Sequence, residues 1–452
     1  MFNKLRKKLS KLTPAQMIVV YYSIAVVVSV CLLSLPIAIK QGVTITFMDR
    51  LFIAVSAVSV TGLTTVTISE TFTVAGSYIL MFIFQFGGIG VMALGTFFWL
   101  IIGKKIGLKE RQLIMADQNQ TGLSGMVKML KGILLIITII ELFGALLLGT
   151  HFLNYYPSWK EALIHGLFLS VSATTNAGFD ITGSSMVPYA DDYFVQIVSI
   201  MLMTMGAIGF PVLMEIKEYF IQKNQNNHLF RFSLFTKITT VTFLGLLIFG
   251  MLIILLLEHN HFLADKSWHQ SFFYALFQSA ATRSGGLATL NINDFTESTL
   301  LVMSSLMFIG ASPSSVGGGI RTTTFALNLL FLFHFARGNR SIKIFKRELT
   351  EEDVTKSLVV TILAILICFT ATVVLRVTEE HELIAILFEV TSAFGTSGLS
   401  MGITPDLSTI GKFVIILLMF IGRIGLVIFL LFIGGKGDKT QFHYPKEKVI
   451  IG

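Results

Sequence analysis

The sequence predicts an all-α integral membrane protein: four M1–P–M2 repeats, giving eight transmembrane helices and four re-entrant short helices, around one pseudo-fourfold axis. Three observations predict it. Apolar runs of about the length that crosses a bilayer recur along the chain. Basic residues concentrate in alternate loops. A short phrase ending in Gly-Leu or Gly-Phe returns four times.

The apolar runs include Met17–Pro36, Ile133–Leu148, Thr239–Leu257, Leu358–Leu375 and Phe413–Ile433. The 452-residue chain is 54% hydrophobic and 13% charged, against about 25% charged residues in soluble domains. A soluble fold has nowhere to hide this much apolar surface, so the lipid bilayer is the expected surroundings. The first apolar run is too long for a signal-peptide core and no small-residue cleavage site follows it, so it is expected to stay as a span. Cys31 and Cys368 both fall in apolar runs, which argues against a disulfide framework and against a cysteine metal site.

Charge placement sets the expected topology. Twenty-five of the 34 Lys and Arg lie in the N-terminal stretch, in 104–131, 217–237 and 337–356, and in 436–448. The alternate segments are acidic, for example Asp191 and Asp192, or Glu379, Glu380 and Glu382. Positive loops stay in the cytoplasm, so both termini are expected inside a plasma membrane. The net charge of +8 is thus a topology signal, and nucleic acid is not an expected partner.

The repeated phrase reads Phe52 to Leu63, Ser172 to Phe179, Ala280 to Leu287 and Ser392 to Leu399. Phe52, Phe168 and Phe388 each lie ten residues before the glycine, with Leu276 at that place in the third copy. A second glycine marker, Gly87, Gly206, Gly310 and Gly422, follows 25, 28, 24 and 24 residues later. Two aligned markers in four copies define the repeats. They divide the chain into 1–125, 126–231, 232–350 and 351–435, with a cytoplasmic tail 436–452. Within each repeat, the helix before the first glycine, roughly Met48–Val58, Trp159–Thr174, Trp268–Ala281 and Glu382–Phe394, is too short to cross about 30 Å of hydrocarbon, so it enters and returns on one side.

Irregular backbone at membrane depth must be buried in protein or line water. Four glycine turns at matching depth can meet on one axis, where rings of carbonyls replace an ion's hydration shell. Glycine permits the left-handed φ such a turn needs, and helix C-termini aimed at the axis favour a cation. The expected selectivity filter is Val58, Ser59, Val60, Thr61 and Gly62; Thr174, Thr175, Asn176, Ala177 and Gly178; Thr282, Arg283, Ser284, Gly285 and Gly286; and Phe394, Gly395, Thr396, Ser397 and Gly398. Asp and Glu are absent from all four stretches, which favours a monovalent, weakly hydrated ion over calcium. The second glycine set reads instead as close helix packing.

The stretch Gly310, Ala311, Ser312, Pro313, Ser314, Ser315, Val316, Gly317, Gly318 and Gly319 cannot hold a regular helix, because Pro313 removes a donor and three successive glycines each cost about 1 kcal/mol. It is expected to form a gate loop below the filter; a passive kink is the plainer alternative. The absence of a following Gly-Lys-Ser/Thr argues against a phosphate loop. Arg423, mid-span, reads either as an electrostatic barrier in the pathway or as a partner for a loop carbonyl. Arg283 is expected to point away from the filter and pair with Glu389. Arg321 reads as loop latch or cytoplasmic anchor, and Glu141 as cation relay or packing residue.

These turns, the Gly-Arg-Ile-Gly of 422–425 and the glycine-rich break of 310–319 resemble the Trk/Ktr/HKT superfamily of potassium transporters over essentially the whole chain. Its length resembles that of the Ktr-type membrane subunits. The resemblance implies potassium uptake, with K+ held by the carbonyls of Gly62, Gly178, Gly286 and Gly398, glycine in all four turns accompanying potassium selectivity. It further implies a homodimer with one pore per subunit, a cytosolic RCK-type nucleotide-binding regulatory ring, and Na+ as activator. A coupled Na+ or H+ symporter is the alternative; such folds use inverted repeats with charged midplane sites, whereas these copies run one way. No nucleophile–base pair or His-Glu-x-x-His motif points to an enzyme.

Overall fold

The computed structural model describes residues 12–90, 126–224, 230–339 and 341–434, with isolated positions beyond them. The expected tail 436–452 and the junction of the first two repeats therefore fall outside the described residues, apart from those positions.

The helices follow the same order four times. The first repeat holds α1 (Pro14–Leu33), α2 (Phe47–Ser59) and α3 (Val74–Ile89). The second holds α4 (Met126–His151), α5 (Trp159–Thr174), α6 (Tyr193–Ala207) and α7 (Phe210–Asn224). The third holds α8 (Leu234–Glu258), α9 (Trp268–Ala281), α10 (Glu297–Ile309) and α11 (Thr322–Ala336). The fourth holds α12 (Glu351–Thr378), α13 (Leu383–Gly395), α14 (Thr409–Ile424) and α15 (Leu426–Gly434). Each repeat thus opens with a helix of 20–28 residues, about 30 Å or more at 1.5 Å per residue. A helix of 13–16 residues follows, too short to span.

Local sequence explains where the helices start. Thr13 opens α1 with a capping box to Gln16 and Pro14 in the first turn. Thr46, Thr73, Ser233, Thr296, Thr350 and Ser408 cap their helices by accepting from a backbone N–H three residues on. The last two repeats also tie their spans together with a carboxylate. Glu258, ending α8, accepts from the Thr296 N–H at 2.9 Å, and Glu379, after α12, accepts from the Ser408 N–H at 2.9 Å.

Polarity is arranged for lipid. Along α1, α4, α8 and α12 large apolar side chains such as Val27, Phe143, Phe249 and Phe369 stay exposed, a contiguous apolar surface that soluble monomers rarely carry. Hydroxyl, amide and even guanidinium groups are instead buried at the centre, among them Thr61, Asn176, Arg283 and Thr396. Two apolar cores flank that centre. One joins α1–α3 to α12–α14; the other joins α4–α6 to α8–α10.

The second spans are broken more widely than the 310–319 stretch foretells. α6 meets α7 at 102° and α14 meets α15 at 101°. The hinges are Gly209 (φ 104°) and Gly425 (φ 91°), and α3 ends on Gly90 (φ 103°). Each hinge stands three residues after a second-marker glycine. Only glycine takes such φ values without strain, so Gly-x-x-Gly is here a packing residue followed by a break.

Candidate ion-pathway site

Three of the four short helices end in nearly identical hydrogen bonds. The N–H groups of Val60, Asn176 and Thr396 donate to the carbonyls of Ala57, Ala173 and Ala393, each at 3.2 Å. The next N–H in each repeat, of Thr61, Ala177 and Ser397, donates to Ser56, Ser172 and Ser392 at 2.8 Å. Three widely separated segments thus fold to the same bend. The third repeat departs: Arg283 N–H donates to Ala280 and Gly285 N–H to Ala281, and its helix stops earlier. There Phe277 is fully buried while Leu276 is partly exposed.

Each bend carries two left-handed residues. The glycines Gly62, Gly178, Gly286 and Gly398 have φ of 95°, 68°, 67° and 88°. Two residues earlier, Val60, Asn176, Ser284 and Thr396 have φ of 57°, 53°, 65° and 47°. A non-glycine residue, above all β-branched Val or Thr, pays for that conformation and keeps it only where the surroundings over-determine it.

The four bends close into a ring. A Cβ built on Gly62 would lie 2.6 Å from the Ala177 carbonyl oxygen and 2.9 Å from Gly178 Cα. One on Gly178 would lie 2.8 Å from Gly286 Cα, and one on Gly286 would lie 2.6 Å from the Ser397 carbonyl oxygen. One on Gly398 would strike the Thr61 carbonyl. Backbone from all four repeats therefore meets at one point with no room for a side chain. Hydroxyls support the ring from behind. Ser56 and Ser392 Oγ accept from the Gly62 and Gly398 N–H groups at 3.1 and 3.0 Å. Ser284 Oγ donates across to the Gly395 carbonyl at 2.8 Å. Ser56, Ser172 and Ser392, each six residues before the glycine, were legible in the repeated phrase but were not singled out.

Several other expected filter residues are held by their own helices or by the second spans. The carbonyls of Val58, Thr174 and Phe394 are closed off by Gly87, Gly206 and Gly422, where a Cβ would collide with them. These three second-marker glycines pack the bends against the second spans. Gly310 differs, since its Cβ would meet the Gly318 carbonyl. Ser59 Oγ lies 2.7 Å from Thr61 Oγ1. Thr175 and Thr282 donate to carbonyls of their own helices.

Residues 310–319 lie directly against the ring. A Cβ on Gly317 would be 2.6 Å from Ser284 Cβ, and one on Gly318 2.8 Å from Thr396 Oγ1. The loop is anchored on the second repeat. Ser312 N–H donates to Ala207 at 3.0 Å, Val316 N–H to Gly206 at 3.3 Å, and Phe210 N–H to the Ser314 carbonyl at 2.7 Å. Within the loop Ser315 Oγ donates to the Ser312 carbonyl at 2.6 Å.

Two arginines clamp it. Arg321 donates to the carbonyls of Ser312, at 3.2 Å, and Gly317, contacts that fit the latch reading. Arg423 donates to the carbonyls of Val316 and Gly87, to that of Gly88 at 3.0 Å, and to Tyr22 Oη at 3.1 Å. These contacts fit the loop-carbonyl reading of Arg423.

The expected Arg283–Glu389 pair is not formed. Arg283 is fully buried and donates to the Leu306 carbonyl on α10. Glu389 accepts from Ser400 Oγ at 2.8 Å and from Thr404. The chain after Gly398 doubles back over Glu389, so Ser400 and Thr404 bond it locally in place of the arginine. Glu141 faces Gln85, whose Nε2 lies 2.9 Å from both carboxylate oxygens. Among the described residues no group of His, Cys, Asp and Glu could hold a metal ion.

Four backbone bends on short helices, ringed inside a shell of apolar spans, mark a multi-pass membrane transport protein. The model of the TrkH family, described as "Cation transport protein", matches residues 7–434, and the chain belongs to that family. It is 60% identical over 449 residues to the Ktr system potassium uptake protein D of Bacillus subtilis, covering 99% of each chain. It is 34% identical to the Ktr system potassium uptake protein B of the same organism, over 98% of this chain and 97% of that one. It is 32% identical to the potassium/sodium uptake protein NtpJ of Enterococcus hirae, over 100% and 99%. The crystal structure of the potassium transporter TrkH from Vibrio parahaemolyticus shares the fold, with a TM-score of 0.72 at 19% identity, covering 93% of this chain and 85% of that one.

Proposed function

We propose that this chain is the potassium-translocating subunit of a Ktr-type uptake system. The observation that carries the proposal is the ring of Gly62, Gly178, Gly286 and Gly398, in which neighbouring carbonyls meet with no space for a side chain. Such oxygens replace the hydration shell of K+, and the two relatives from Bacillus subtilis are named potassium uptake proteins. The filter is the set of four five-residue stretches ending on those glycines. Residues 310–319 are the gate, with Arg321 and Arg423 holding it shut. Glu141, the acid a proton-coupled symporter would use, is engaged by Gln85, so conduction is favoured over coupling.

Both termini are cytoplasmic, as the basic segments argue. The chain works as a homodimer on a cytosolic RCK-type nucleotide-binding ring, and Na+ activates it; the name of the Enterococcus relative joins potassium and sodium. The repeat limits at 125, 231 and 350 follow the glycine markers. The test is growth rescue at low potassium in uptake-deficient cells. Wild type should restore uptake and Gly62→Ser should let Na+ compete. Failure of wild type to move K+ with its regulatory ring present would overturn the proposal.

A further inference from the structure

The helix break in the third repeat leaves a second feature, on the outside of the molecule. α10 ends at Ile309 and α11 starts at Thr322, and the chain between them turns inward to the ring. α11 packs on α12 through Asn328, yet a cavity of about 600 Å³ opens between α10, α11, α12 and α13. Its walls include Leu301, Phe308, Ile320, Leu329, Phe369 and Thr372. Leu301, Leu329 and Phe369 are also exposed at its rim, on the lipid-facing surface, so the cavity is continuous with the bilayer. Most polar groups on its walls are already engaged: Asn328 donates to Thr361 Oγ1 at 2.7 Å and accepts from Ser357 Oγ at 2.8 Å, and Ser305, Thr372 and Thr391 donate to carbonyls of their own helices. This leaves the buried Ser304 hydroxyl as the one without a partner among the described residues of the walls. Among the described residues no charged side chain lines the space.

We infer that this cavity is a binding site for a single acyl chain of a membrane lipid. Its volume lies in the range of small-molecule sites. Charge and polarity exclude an ion or a nucleotide. A second copy of this chain would have to insert a helix, and a helix about 10 Å wide fills roughly 420 Å³ per 5.4 Å turn, so the cavity would take less than a turn and a half. A slender hydrocarbon chain, drawn from the bilayer at its rim, fits. The site touches the loop's hinge: Ile320 N–H donates to the Phe308 carbonyl at 3.2 Å. Phe308 also stacks on Phe394 of the fourth bend, with ring centroids 5.6 Å apart. The bound chain therefore braces the hinge on which residues 310–319 turn.

The test is photo-crosslinking in proteoliposomes of the full-length protein with a phospholipid carrying a diazirine on its acyl chain, the adducts mapped by mass spectrometry. In wild type, adducts should concentrate on 301–332 and 361–372, at least fivefold above the exposed stripes of α1, α4 and α8. Thr372→Trp and, independently, Leu332→Trp fill the space and should cut the groove adducts at least fivefold, with elution and melting profiles unchanged. Adducts spread evenly over all apolar stripes would mean annular lipid only and overturn the site. So would a groove free of adducts, the result expected if a second copy covers this face. The wild-type map decides the matter even if a tryptophan variant fails to fold.

Discussion

Arg423 on α14 donates to the carbonyl of Val316, at the middle of the loop that interrupts the third repeat. The same guanidinium holds the α3 carbonyls of Gly87 and Gly88 and the Tyr22 hydroxyl of α1. One side chain thus pins the loop to the first and fourth repeats. Hydrogen bonds to a charged group contribute about 1.5–3 kcal/mol each, against about 0.5–1.5 kcal/mol for neutral ones. Arg423→Gln should therefore raise resting Rb+ flux in proteoliposomes by tenfold or more, and deletion of 311–318 should do the same. Tyr22→Phe, which removes one contact, should raise it only a few-fold. If Arg423→Gln left resting flux unchanged and altered only the potassium dependence of throughput, the barrier reading would replace the clamp.

Gly62 and Gly42 make a controlled pair. Both have left-handed φ, 95° and 84°, but a Cβ at Gly42 meets nothing within 4 Å while one at Gly62 meets Ala177 and Gly178. Gly62→Ser adds a clash inside the ring and a hydroxyl beside the carbonyls, whereas Gly42→Ser adds backbone strain alone. Potassium over sodium selectivity, from competition uptake assays, should fall about tenfold for Gly62→Ser, equivalent to about 1.4 kcal/mol, and stay unchanged for Gly42→Ser. Equal selectivity in both would remove Gly62 from the ion's path.

The second-marker glycines predict stability rather than selectivity. A Cβ on Gly422 would collide with the Phe394 carbonyl, a backbone atom that cannot step aside, whereas one on Gly245 in α8 meets nothing within 4 Å. Helix interiors favour Ala over Gly by about 1 kcal/mol. Thermal unfolding of detergent-solubilised protein should show Gly422→Ala losing several degrees, or the folded protein altogether, while Gly245→Ala is neutral or gains a degree or two. A tolerated Gly422→Ala would mean that α14 can slide away from the bend.

The repeat, the short helices and the meeting glycines were legible in the sequence because each leaves a local signature: apolar length, a stop, and a residue without Cβ. Helix limits read from the pattern, such as 159–174 and 268–281, coincide with α5 and α9. Partners were not legible. Arg423 meets Gly87 across 336 positions, and nothing in either neighbourhood encodes that distance. Arg283 was matched to an acid by charge alone, but a buried guanidinium can also donate to a carbonyl, and the Leu306 carbonyl on α10 was the partner within reach. The left-handed Val60 and Thr396 were hidden for the opposite reason. Both are poor residues for that conformation, so only the surrounding ring explains them.

The segment before α6, within the second repeat, adds a pH prediction. Asp191 accepts from Tyr274 Oη at 2.7 Å and from Gln270 Nε2 at 3.0 Å, joining the segment before α6 to α9. Those bonds, Tyr274's foremost, hold its carboxyl below the ordinary value of 3.8. A carboxylate lowered in the fold contributes stability that is fully present above its unfolded value and disappears as pH falls through the folded one. The contribution should therefore be constant from pH 7 to about 5 and fade below about 4. Asp191→Asn keeps the shape but cannot titrate, so its melting temperature should lie below wild type at pH 7 and converge on it at pH 3. Because Asp191 is largely open to solvent, the gap should be small, a degree or two, and should shrink further in high salt. A gap that stayed constant down to pH 3 would show that Asn makes a packing error and that the charge contributes nothing.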